Sequence, residues 1–96
     1  MAKKKVKTTK SPITAGMVET SKRIRLFRES IELSRPKFSD TLDVPPTTLK
    51  NYELGYRTTG SEFLVAVGRV YGVPVMLWMM GFPSTYELPT DNRKHG

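Results

Sequence analysis

Between Met17 and Gly81 apolar residues recur at helical spacing, with polar residues filling the positions between them. Ile24, Phe27 and Ile31 stand at i, i+3 and i+7 and predict a first helix from about Met17 to Ile31, with Val18 lengthening the stripe. Phe38 and Leu42 form an i, i+4 pair in a second helix, Arg35–Leu42, for which Ser34 is a good N-cap and Pro36 suits the first turn. Leu49 and Tyr52 anchor a third, Pro46–Leu54, which Gly55 ends. On its other face Thr47, Lys50 and Asn51 fall at i, i+3 and i+4, all polar. Leu64, Val67 and Tyr71 predict a fourth helix over Ser61–Tyr71, with Val65 and Val70 closing its sides and Ser61 or Gly60 at its cap. The fifth, Pro74–Met80, is apolar almost all round and is closed by Gly81. The pattern predicts an all-α chain, a compact five-helix bundle.

Outside this stretch the periodicity stops. Residues 1–16 hold Lys3, Lys4, Lys5, Lys7 and Lys10 and no acid, and read as a flexible basic arm. Residues 83–96 carry Pro83 and Pro89 and read as an irregular tail, with Phe82, Tyr86 and Leu88 expected to pack back on a dimer. The division is thus arm (1–16), helical domain (17–82) and tail (83–96). The formal net charge is +7, of which the arm supplies five and the domain two. Such a balance points to polyanions as partners. The chain has no cysteine, which excludes a disulfide framework and fits a reducing cytoplasm. No apolar run approaches the roughly 20 residues of a membrane span, and no membrane partner is expected.

Two short helices joined by a turn, the second with a polar outward face, form a helix-turn-helix arrangement. The segments IRLFRE (24–29), LSRPKFSDTLDV (33–44) and TTLKNYELGYR (47–57), with the spacing of LVAVGRVYGV (64–73), resemble the phage repressor and Cro-type family of DNA-binding proteins. The resemblance runs from Ile24 to about Gly81. It implies a lambda-repressor-like fold in which the third helix enters the major groove. Pro46, Thr47, Lys50 and Asn51 would then meet base edges. Lysine suits guanine, asparagine suits adenine, and Pro46 offers only an apolar contact. The resemblance also implies phosphate contacts from Arg35 and Lys37 and from the loop residues Tyr56, Arg57, Thr58 and Thr59. It implies a partly buried ion pair between Arg28 and Glu53, and a small residue, Gly68, where helices approach closely. Asp43 stands where the family usually has a left-handed glycine. The family's dimer-forming region falls here on Val75, Met76, Trp78, Met79, Met80 and Phe82.

The expected function is therefore a sequence-specific regulator of transcription, a homodimeric repressor that binds a palindromic operator in double-stranded DNA. Two alternatives stay open. One is an antitoxin-like autoregulator whose apolar C-terminal surface holds another protein. The other is a protein-interaction module on the same scaffold. No enzyme is expected. The single histidine, His95, cannot build a triad or a metal site, and no phosphate-binding or dinucleotide motif is present, so no cofactor or metal is expected.

Overall fold

A computed structural model describes residues 15–89. Among them the chain forms five helices and no strand: α1 (Ala15–Ser30), α2 (Arg35–Thr41), α3 (Pro46–Glu53), α4 (Ser61–Tyr71) and α5 (Val73–Met80). The first helix begins two residues before its expected start, and the side chain of Val18 lies outside those described. The helix ends show why so short a chain can turn so often. Leu33 N–H bonds Arg28 C=O, Val44 N–H bonds Ser39 C=O, Tyr56 N–H bonds Asn51 C=O and Phe82 N–H bonds Leu77 C=O. Each bond closes a helix through one left-handed residue: Glu32, Asp43, Gly55 and Gly81. Asp43, at φ 57°, holds the left-handed turn foreseen for it. Glu32, at φ 61°, does the same without the excuse of a short polar side chain.

The core is built from every helix: Ile24 and Phe27, Phe38 and Leu42, Leu49 and Tyr52, Phe63 and Val67, Val75 and Met79 are all buried. Aromatic edges knit it together. Tyr52 meets Phe63 with ring centroids 5.2 Å apart, and Phe27 meets Tyr71 at 5.1 Å. Thr41 ties α2 to α4 through a hydrogen bond to the Tyr71 hydroxyl, 2.7 Å long. At Gly68 a Cβ would stand 3.2 Å from the Met76 sulfur, so α4 and α5 do approach closely there.

The face of α4 departs from its expected position. Phe63, absent from the expected stripe, is 1% exposed, whereas Val65 and Val70 are 48% and 50% exposed. Leu64 and Tyr71 are only half-buried at the edge of the core. A helix apolar on most sides offers several stripes of equal spacing; the wholly apolar Phe63 ring goes inward beside Val67, while Tyr71 stays at the edge, where its hydroxyl meets Thr41.

The tail also differs. Tyr86 packs against its own chain, with Phe27 at 5.8 Å and Trp78 at 5.3 Å between ring centroids. Ser84 fixes the bend: its hydroxyl donates to Pro74 C=O and accepts from Tyr86 N–H. The Tyr86 phenol is raised above its usual pKa of 10.0, mainly by burial and in part opposed by a hydrogen bond with Ser30. Within the single chain Leu88 is half-buried and Phe82 is exposed.

Candidate nucleic-acid interface

The polar face of α3 is built from the inside outwards. Leu49, Tyr52 and Glu53 are buried, and so the helix cannot rotate without exposing two large apolar side chains and a carboxylate. Pro46, Thr47 and Lys50 consequently point to solvent, with Asn51 half-buried beside them. Pro45 supplies no side-chain cap, as its chemistry dictates, and only its carbonyl accepts the first helical bond, from Leu49 N–H at 3.2 Å. Leu54 adds an exposed apolar side chain to the same face, at i+7 from Thr47. The expected helix Pro46–Leu54 includes this residue, and its spacing from Thr47 marks the face it joins.

Glu53 is the fixed point of this assembly. Its carboxylate is fully buried and accepts from Arg28 Nε at 2.7 Å, Arg28 Nη2 at 3.1 Å and Arg35 Nε at 2.9 Å. The remaining Arg28 nitrogen, Nη1, donates to Leu33 C=O at 2.9 Å. The Arg28–Glu53 pair foreseen in the sequence is thus present, with a second arginine added. One carboxylate joins α1, α2 and α3, and a buried charge so fully bonded orients its helix more surely than it stabilises the fold.

Arg35 is therefore not simply the free phosphate clamp expected of it. Its Nε is committed to Glu53, while the side chain stays 33% exposed, against 12% for Arg28. Lys37, Lys50 and Arg57 are exposed and have no ion pair among the described residues. In the loop after α3, Tyr56, Arg57 and Thr58 are exposed and Thr59 is half-buried. Lys3, Lys4, Lys5, Lys7 and Lys10 lie outside the described residues, as does His95.

The surface expected for a dimer needs correction. Val75 and Met79 belong to the core and line no outer surface. Met76 and Trp78 pack against that core, and Trp78 is further covered by Tyr86 and by the Arg23 guanidinium 6.0 Å above its ring. Of the six residues only Met80 and Phe82 are exposed. The apolar surface that does remain in this half of the chain includes Val65 and Val70, expected only to close the sides of α4, and Val73.

No helix among the described residues is long and apolar enough to cross a membrane. No group of three or more metal-ligating side chains occurs among them either. No protein-family model matches the chain, and no curated protein or solved structure matches it significantly.

Proposed function

We propose that the chain is a sequence-specific DNA-binding regulator, with α2 and α3 as a helix-turn-helix and α3 as the helix that enters the major groove. The observation that carries this reading is the polar face of Thr47, Lys50 and Asn51 on a helix locked from behind by Leu49, Tyr52 and Glu53. A reading helix must hold its side chains still, since each good contact to a base edge is worth about 1–3 kcal/mol of discrimination only when the geometry is kept. Lys37, Arg57 and the loop hydroxyls would bond phosphates, and the exposed part of Arg35 would join them while Glu53 holds its other edge. Two copies related by a twofold axis would present two such helices about 34 Å apart to a palindrome. Binding there would repress by excluding polymerase. The exposed Val65, Val70, Val73 and Phe82 favour a second reading, an autoregulator that also holds another protein.

Selection of bound sites from random duplex DNA tests the proposal. A palindromic consensus is the expected result. Recovery of no enriched sequence, with affinity set by salt alone, would remove base reading from the account.

A further inference from the structure

The outward face of α4 has a charge order that fits a copy of itself. Glu62, Val65, Ala66 and Arg69 stand at i, i+3, i+4 and i+7; Glu62, Val65 and Arg69 face away from the buried Phe63 and Val67, and Ala66 stands at the border, its inner side packed against the core. Glu62, Val65 and Arg69 are exposed and Ala66 is half-buried. Neither Glu62 nor Arg69 has an ion pair among the described residues. The face thus runs from an acid, across two small apolar residues, to a base.

We infer that two copies of this chain associate through α4, packed antiparallel about a twofold axis between Val65 and Ala66. This register sets Glu62 of each copy against Arg69 of the other and Val65 against Ala66. One contact is therefore made twice, as an isologous interface requires. Antiparallel packing also brings each helix's positive end to the other's negative end. Ala66 at the centre lets the axes approach closely.

The occupant follows from the charge order. A polyanion would be repelled by Glu62 at one end of the face. The expected α5 surface is unsuited, because Tyr86 and Arg23 already cover Trp78. This inference rests on the dimer clause of the functional reading and not on its DNA clause.

Sedimentation of the full chain over a range of concentrations and at two salt levels provides the test. The variants are Glu62→Arg, Arg69→Glu, the double exchange, and Met80→Glu at the end of α5, each checked for helix content. The wild type should dimerise. Either single reversal should weaken the dimer about tenfold or more, because each sets like charges against each other at both ends of the interface. The double exchange should restore it. A monomeric wild type, single reversals without effect, or a double exchange that stays weak would each overturn the interface. So would dissociation by Met80→Glu alone. A gel shift on the same samples separates the two ideas. An intact dimer that binds no DNA removes the reading function only, and DNA binding with α4 reversals still dimeric removes only the α4 interface.

Discussion

The helices α3 and α4 lie on either side of the loop 54–60 and meet the same demand, burying one face, with different chemistry. In α3 the two faces differ in kind. Leu49 and Tyr52 go inward, Lys50 and Thr47 outward, and Glu53 goes inward only because two arginines meet it there. In α4 apolar residues occupy most positions, so the helix could have turned any of several faces to the core. Its orientation comes from Phe63, whose ring has Tyr52 to pack against. The contrast teaches that a polar helix is oriented by what cannot be buried, and an apolar one by what fits best.

Substitutions in the two helices and around them test this difference. The largest effect belongs to fit. Phe63→Ala should cost about 3–5 kcal/mol in urea unfolding, whereas Val65→Ala, compared at concentrations where the chain is monomeric, should change stability by less than about 0.5 kcal/mol. Equal effects would mean that α4 is turned differently. Next comes the buried charge. Glu53→Gln should cost about 3 kcal/mol, since it leaves Arg28 facing a neutral amide in a dry site, while Arg35→Ala should cost less than about 1 kcal/mol because Arg35 is partly in water. A thermal melt of Glu53→Gln that matches the wild type would show that the cluster does not hold α3.

The third concerns the proposed reading face. Lys50→Ala and Asn51→Ala should each relax preference among bases by about 1–3 kcal/mol, whereas Arg57→Ala should weaken binding to all duplexes alike and lower the salt slope. Uniform loss from all three would reduce α3 to a phosphate contact. The smallest is a pH effect on the tail that covers α5. Burial raises the Tyr86 phenol, so the folded state holds that proton more tightly than the unfolded chain. The stabilisation from Tyr86 is therefore complete below pH 10.0, the usual phenol value, and is lost as pH rises through the higher folded value. Tyr86→Phe should flatten this alkaline loss of stability. An unchanged pH profile would mean that the ring does not stay docked.

Legibility followed the same divide. The outward side chains of α3, the left-handed turn at Asp43 and the Arg28–Glu53 pair were readable because polarity, backbone geometry or resemblance singled them out. The second arginine on Glu53 was not, since nothing in the spacing of Arg35 and Glu53, 18 residues apart, says that they meet. Nor was the burial of Val75 and Met79, because α5 carries no polar residue to mark its outer side. The tail was expected to pack back on a dimer, with no contact residue named for it. Tyr86 instead found Phe27 and Trp78 at home, a choice that depends on where the Ser84 bend aims it.

Five helical segments, their stops and the outward face of α3 are written in the amino-acid order, because helix period, capping and the burial cost of polar groups act within a few residues. The tertiary structure alone decided which side of α4 and α5 is inside, and what a single buried carboxylate ties together. Those choices compare whole side-chain shapes brought together from distant parts of the chain, and local pattern holds no record of them.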